Sequence, residues 1–231
     1  MKFPLMIISI LFIFSVGAAS VDSANIKKSA LVFDSKSWDF GSVPVDFKIA
    51  HSYKFKNTGE GDLHITKVDP NCDCTSVSAR DTLIQPGDSS EIKVVFHTRE
   101  FYGMTNKRVF IYADDPENPI TELDYTANVE FFHKLHTSEP KYLTFLQGQN
   151  AKDVKLINNS DNRVGYVIQK EPDTLFSISK LQGSLSGEQF ELINVKIKDN
   201  LSKGTYFTNF TVTYDTNPKL RLTIPVKIVR W

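Results

Sequence analysis

The sequence has no excess of charge of either sign. Lys+Arg and Asp+Glu both total 27 in 231 residues, so the formal net charge is zero, and the chain has no general electrostatic attraction to nucleic acid. It also lacks the long Ala, Glu, Leu and Lys tracts of helical proteins, whereas 17 Phe and 8 Tyr exceed ordinary usage. We therefore expect a folded protein made of β-sheets, with no nucleic-acid partner.

Complete catalytic and ion-binding motifs are missing as well. The chain contains no Gly-x-Ser-x-Gly, His-Glu-x-x-His, phosphate-loop or calcium-loop sequence. The segment Asp114–Asn118 is acidic, but its Pro and Asn and its lack of alternating oxygen ligands favour a hairpin turn over a calcium site. The sequence thus predicts no catalytic residues, and we expect the protein not to be an enzyme.

The first twenty residues have the pattern of a secretory signal peptide. A basic start, Met1-Lys2, is followed by an apolar run to Val16 and by small residues up to Ser20. The run is shorter than the roughly 20 residues that a membrane-spanning helix needs, and no later stretch approaches that length. We expect cleavage after Ala19 or Ser20, and a mature protein that does not span the membrane and works in an oxidising compartment.

Short apolar or alternating runs, separated by clusters of Asn, Gly, Pro and Asp, follow this leader, as is typical of all-β proteins. The candidate strands of the first half are Leu31–Phe33 with Trp38–Phe40, Ala50–Lys56, Leu63–Val68, Thr75–Val77, Ser90–His97, Lys107–Ala113 and Ile120–Glu130. Those of the second half are Tyr142–Phe145, Lys152–Ile157, Val164–Lys170, Phe176–Lys180, Phe190–Lys198, Gly204–Tyr214 and Leu220–Arg230.

The turns between these runs repeat after about a hundred residues. Asn57-Thr58-Gly59 corresponds to Asn158-Asn159-Ser160, and Asn118-Pro119-Ile120 corresponds to Asn217-Pro218-Lys219. About seven strands per hundred residues, with the same order of turns, predict two tandem immunoglobulin-like β-sandwich domains. We place the signal peptide at 1–20, the first domain at 28–131, the second, diverged domain at 137–231, and the connection in the polar stretch 132–140.

The first half, roughly Leu31 to Glu130, also carries six short motifs in register. These are Trp38-Asp39-Phe40-Gly41-Ser42-Val43, Tyr53-Lys54-Phe55-Lys56-Asn57-Thr58-Gly59, Leu63-His64-Ile65, Asn71-Cys72-Asp73-Cys74-Thr75, Ile84-Gln85-Pro86-Gly87-Asp88 and Asp114-Asp115-Pro116-Glu117-Asn118-Pro119. In this order they resemble a bacterial family of uncharacterised exported domains with a Cys-x-Cys-Thr motif, allied to the immunoglobulin-like domains of ASPM and Hydin. The resemblance implies a seven-stranded sandwich, an interaction module and a bacterial source. The family usually has Gly where this chain has Asp73.

Cys72 and Cys74 are the only two cysteines. In an extended strand, residues i and i+2 share a face with Cα atoms roughly 6.5–7 Å apart, at the outer limit of disulfide geometry. A bridge between them therefore requires a local bend, and by loop-closure entropy it adds little stability. Three interpretations remain open: a disulfide or thiol pair without further function, a soft-metal site for Cu(I) with His64 or His51 nearby, and a dithiol/disulfide redox pair.

Two hypotheses of different classes follow. The first is a non-enzymatic, exported structural or protein-binding module of the bacterial cell envelope, periplasmic or extracellular. It would contact an envelope protein or a second copy of itself through a sheet edge or its end loops. The alternative is a thiol-based copper-binding or redox protein that uses Cys72 and Cys74, with His64 as a third metal ligand. No other cofactor is predicted.

Overall fold

The computed structural model describes residues 27–130, 132–171 and 175–231, and the predicted signal peptide of residues 1–20 lies outside them. The described residues form strands and connecting turns, with no helix among them. In chain order the strands are β1 Leu31–Phe33, β2 Ser37–Val43, β3 Lys48–Asn57, β4 Leu63–Asp69, β5 Thr75–Ala79, β6 Leu83–Ile84, β7 Ser89–His97, β8 Gly103–Ala113, β9 Ile120–Val129, β10 His136–Glu139, β11 Leu143–Phe145, β12 Ala151–Asn158, β13 Val164–Lys170, β14 Phe176–Ile178, β15 Gln182–Leu185, β16 Gln189–Ile197, β17 Gly204–Tyr214 and β18 Leu220–Arg230.

These strands enclose two separate hydrophobic cores. In the first half, the sheet β1-β3-β7-β5 packs against the run β2-β9-β8-β4-β6, and the core lies between them. In the second half, β10-β12-β16-β14 packs against β15-β13-β17-β18, with β11 added to β18 in parallel. The all-β prediction, with two immunoglobulin-like sandwiches in tandem, is confirmed. The domain limits 28–131 and 137–231 remain predictions.

Alternation along strands such as β7 explains which face is buried. In β7, Ser90, Ile92, Val94 and Phe96 are buried, and the residues between them are half-buried. Successive side chains of a strand point to opposite faces, so this alternation puts every second side chain into the core. In strands of this kind, the pattern read from the sequence therefore identifies the side chains that face the core.

The predicted repeat has a structural counterpart in two equivalent asparagines. Asn57 at the end of β3 is buried, and its Nδ2 donates to the carbonyl oxygens of Gly61 (2.8 Å) and Ile84 (3.0 Å). Asn158 at the end of β12 is also buried, and its Nδ2 donates to the carbonyl oxygens of Asn162 (2.7 Å) and Leu185 (3.3 Å). Each asparagine thus ties the turn after its own strand to a short strand of the opposite sheet.

Three short strands lie outside the predicted set: β6, β10 and β15. β6 and β15 occupy the same position in the two halves, opposite Asn57 and Asn158 respectively. β10 lies within the stretch 132–140, which the sequence assigns to the connection. His136–Glu139 pair with β12 as β1 pairs with β3, and the boundary placed within 132–140 remains a prediction.

The two halves share one sheet. β18 of the second half pairs in parallel with β2 of the first at Leu222 and Ser42, which makes the central sheet continuous from β15 to β6. Beside this contact, the Thr223 hydroxyl donates to the carbonyl oxygen of Phe40 at 2.6 Å. Gly41 lies here with φ at +65°, and a Cβ on it would come within 2.3 Å of the Arg221 carbonyl oxygen. Only glycine fits this close approach of the two backbones.

A second set of contacts covers an open side of β3. β1 pairs only with the end of β3, from Phe55 to Asn57, so the earlier part of β3 has no strand on that side. There the N–H of Ala50 donates to Asn209 Oδ1 at 2.5 Å, and the N–H of Ser52 donates to Glu171 Oε2 at 2.8 Å. Side chains of the second half therefore supply the acceptors that a neighbouring strand would otherwise provide.

Candidate functional site

The two cysteines form a disulfide in the turn between β4 and β5. The Cα atoms of Cys72 and Cys74 are 5.3 Å apart, closer than the spacing of an extended strand, so the bend that a bridge between them requires is present. Asn71 begins the bend with φ at +56°, and its N–H donates to Asp69 Oδ1 at 3.0 Å. Asparagine tolerates this left-handed conformation better than most residues.

The disulfide lies at the surface of the first sandwich. Both cysteines are half-buried, and Asp73 between them is exposed. Cys74 packs against the hydrophobic core of the first half. The Cys74 side chain therefore contacts the interior, while the turn as a whole is accessible from solvent.

A buried threonine lies directly beneath the bridge. Thr75 is the first residue of β5, and its Oγ1 is 3.3 Å from Cys72 Sγ and 3.6 Å from Cys74 Sγ. The same Oγ1 is 2.5 Å from the hydroxyl of Tyr125 in β9. Tyr125 is almost fully buried, and burial raises the pKa of its hydroxyl even though the hydrogen bond to Thr75 acts in the opposite direction. The tyrosine therefore stays protonated and can donate a hydrogen bond.

β5 continues from this turn as an edge strand. It pairs with β7 on one side and has no strand on the other. The Cys74 carbonyl oxygen accepts from His97 N at 2.9 Å, and Arg80 N donates to the Glu91 carbonyl oxygen at 3.0 Å. Since backbone groups alternate sides along a strand, the N–H and C=O groups of Val77 and Ala79 point away from β7.

The structure brings the two cysteines together but does not bring His64 to them. His64 is at the start of β4 and the cysteine turn follows the end of β4, so about 16 Å of extended strand separates His64 from Asp69. The ring of His64 instead faces Asp114, with Nδ1 3.6 Å from Oδ2. His51 lies at the contact between the halves, with Nδ1 3.2 Å from Glu171 Oε1. Within the described residues, no three His, Cys, Asp or Glu side chains form a metal-binding cluster.

The acidic segment Asp114–Asn118 forms the turn between β8 and β9, as the sequence predicts. Asp115 is buried, and its carboxylate accepts from the backbone N–H groups of Leu31 (2.9 Å), Glu117 (2.9 Å) and Asn118 (3.1 Å). Burial by itself would raise the pKa of Asp115, but these hydrogen bonds outweigh it and hold the pKa below its usual value. The carboxylate is thus occupied in tying the turn to β1.

Sequence reasoning missed the roles of Thr75 and Tyr125 in this site. Thr75 follows the cysteines directly and could have been suspected from that position alone. Tyr125 lies fifty residues later in the chain, where its alternation with polar neighbours marks it only as a core residue of a strand. Nothing in a single sequence pairs those two strands.

Comparison with known proteins gives one match to a protein family. Residues 31–129 match a family described as "Protein of unknown function (DUF1573)". A search of characterised protein sequences found no match. In the described part of the chain, no helix has the length and apolar character needed to cross a bilayer.

Several solved structures are similar at low identity. A protein of unknown function from Porphyromonas gingivalis W83 is 12% identical, with 87% of this chain and 99% of that chain covered and a TM-score of 0.37. PapD-like domain 7 of human CEP192 is 15% identical over 44% of this chain and 91% of that one, with a TM-score of 0.36. The E. coli chaperone DraB is 9% identical over 41% of this chain, with a TM-score of 0.36, and the match spans only 54% of the chaperone.

Proposed function

We propose that this protein is a non-enzymatic, exported protein-binding module of the bacterial cell envelope, and that it binds its partner by strand addition at β5. The observation that carries this proposal is the open side of β5, whose outward backbone groups at Val77 and Ala79 are without a partner strand. The leader at residues 1–20 supports export. Strand addition takes its affinity from main-chain hydrogen bonds and needs such an edge.

β5 differs from the other edge strands in its length. With five residues it is the longest of the described strands at a sheet edge, and it contains no charge and no proline. The first half of β8 also has no strand on one side, but it carries Lys107 and Arg108. Natural sheets protect their edges with charges, prolines and bulges, and β5 has none of these.

The contrast with β3 supports the same conclusion. The open side of β3 is filled from within the chain, because Asn209 and Glu171 accept from Ala50 and Ser52. Described residues provide no equivalent cover for Val77 and Ala79. Since the shared sheet holds the two sandwiches together, the module would present β5 from a rigid body.

A photo-crosslinking amino acid placed at Ser78 tests the proposal in cells of the native source. Ser78 is exposed on β5, and Lys155 is an exposed position on β12, which has strands on both sides. We expect a discrete adduct from position 78 and none from position 155. Val77→Pro should abolish the adduct, because it removes an outward N–H. An adduct of twice the monomer mass would identify a second copy as the partner, and equal labelling at both positions would refute strand addition at β5.

A second candidate function is thiol–disulfide exchange at Cys72 and Cys74. The observation that favours it is the half-buried bridge between residues only two apart in sequence, since such a small loop stabilises the fold little. If exchange is the function, a strain in which both cysteines are replaced by serine should show the same defect as a strain that lacks the gene. If the pair is only structural, the same strain should behave like the wild type.

Copper binding at the same pair is a weaker form of this candidate. It requires both cysteines to be reduced, because thiolates and not disulfides bind Cu(I). The position of His64, at the far end of β4 from the turn, leaves the cysteines without that third ligand. Stoichiometric copper in protein purified from its native envelope without chelator would favour this form over exchange.

A further inference from the structure

We infer that Tyr125 and Thr75 form a hydrogen-bond relay that stabilises the thiolate of Cys72, and that this relay sets the redox balance of the Cys72–Cys74 pair. The inference rests on the proposed exchange function. It assigns Thr75 a direct contact with the reacting sulfurs and makes Tyr125 a positioning residue that acts through Thr75. The partner would be a protein that carries a disulfide or a dithiol.

The direction of the hydrogen bonds follows from the chemistry of the reduced state. A thiolate can only accept, so the Thr75 hydroxyl must donate to the sulfur, 3.3 Å away in the oxidised form. The oxygen of Thr75 is then free to accept from the Tyr125 hydroxyl, 2.5 Å away. Both hydroxyls are buried, and hydrogen bonds to a charged acceptor are about twice as strong as neutral ones. Reduction to the thiolate therefore strengthens a contact that already exists in the disulfide.

The two cysteines differ in a way that assigns their roles. Thr75 Oγ1 is nearer to Cys72 Sγ than to Cys74 Sγ, and Cys74 packs against the core. A stabilised, solvent-facing thiolate is the sulfur that attacks, and a more interior thiol is the one that resolves the intermediate. We assign the first role to Cys72 and the second to Cys74.

The exchange balances without any further reactant. The Cys72 thiolate attacks a disulfide of the partner, the partner's sulfur–sulfur bond breaks, and one partner sulfur leaves as a thiolate. Cys74 then loses its proton to solvent and attacks Cys72 Sγ. The Cys72–Cys74 bond forms and the second partner sulfur leaves as a thiolate. Two electrons pass from the cysteine pair to the partner, and the reverse sequence oxidises a partner dithiol.

The test uses the mature chain and two measurements. The first is the pKa of the Cys72 thiol, from the pH dependence of its alkylation rate in a Cys74→Ser background. The second is the equilibrium of the Cys72–Cys74 disulfide with a glutathione buffer, above the thiol pKa of every variant. The variants are Thr75→Val, Thr75→Ser and Tyr125→Phe. Ser76→Ala is the control, because Ser76 is the next residue of β5 and is exposed.

We expect Thr75→Val to raise the pKa of Cys72 by about one unit and to shift the equilibrium about tenfold towards the disulfide, which is about 30 mV for this two-electron couple. Tyr125→Phe should shift both quantities in the same direction by a smaller factor. Thr75→Ser keeps the hydroxyl and should resemble the wild type, as should Ser76→Ala. If Thr75→Val fails to fold, Tyr125→Phe and Thr75→Ser decide the question.

Two failures are distinguishable. If the folded wild type reaches no equilibrium with glutathione, the exchange function is wrong and the relay has no role. If it does equilibrate but Thr75→Val and Tyr125→Phe leave both the acid dissociation constant of Cys72 and the equilibrium constant with glutathione within twofold of the wild type, the exchange function stands and the relay is refuted.

Discussion

Asn209→Ala should destabilise the protein through the contact between its two halves. Asn209 is 1% exposed, and its Oδ1 accepts from the N–H of Ala50 on the open side of β3. Alanine removes that acceptor and supplies no replacement. The buried Ala50 N–H would then have lost its bond to water on folding and gained none from the protein.

The loss in free energy of unfolding can be worked out from the Ala50 N–H. A buried donor left without a partner costs about 1–3 kcal/mol. The shortened side chain also leaves unfilled space in a buried contact, which adds to the loss. We therefore expect the free energy of unfolding to fall by about 2–3 kcal/mol.

Urea denaturation followed by far-ultraviolet circular dichroism measures this quantity. Asn106→Ala is the matched control, because Asn106 is an exposed asparagine on β8, and it should change the free energy of unfolding by less than about 0.5 kcal/mol. Glu171→Ala, which deprives Ser52 N of its acceptor, should add to Asn209→Ala and separate the unfolding of the two halves into two transitions. A loss below about 0.5 kcal/mol for Asn209→Ala would show that the Ala50 N–H does not depend on this acceptor.

Three further predictions concern other buried groups. Asn57→Ala and Asn158→Ala should each lower the free energy of unfolding by about 2–4 kcal/mol in urea titrations, because each removes the amide that donates to one buried and one partly buried carbonyl oxygen. A loss in only one of the two variants would contradict their equivalence. The pKa of Asp115 is lowered in the folded protein. Its contribution to the free energy of unfolding is therefore complete above the ordinary aspartate pKa of about 4 and is lost as pH falls through the lower pKa of the folded state. Asp115→Asn should therefore be less stable at pH 7 and show a shallower loss in acid, measured by melting temperature against pH, and parallel curves would be evidence against this. Gly41→Ala should lower the melting temperature, since its Cβ would meet the Arg221 backbone at 2.3 Å, and an unchanged melting temperature would show that the two halves are not held together there.

Much of the local structure could be read from the residue pattern. The alternation of β7 and the breaks at Asn, Gly, Pro and Asp place most strands correctly, because both features depend on neighbours along the chain. The short strands β6 and β15 could not be found in this way. They have only two and four residues, and their pairing depends on the strands opposite them.

The same distinction applies to the candidate site, where the cysteine spacing is local and the surrounding side chains are not. The cysteine spacing requires a bend in the backbone, and a disulfide between residues two apart is found. The choice among structural, metal and redox interpretations depended on which side chains surround the sulfurs. The fold puts Thr75 and Tyr125 there and leaves His64 at the other end of β4.

Alternation, turn residues and residue types are local properties of the chain, and they indicate the β class, the repeat, the positions of most strands and the chemistry available at Cys72 and Cys74. Three features come from packing in three dimensions: β2 and β18 join the two sandwiches into one sheet, Asn209 and Glu171 cover β3 while β5 stays open, and Tyr125 reaches the disulfide through Thr75. Each of these depends on residues far apart in the chain, and their contacts exist only once both sandwiches have packed.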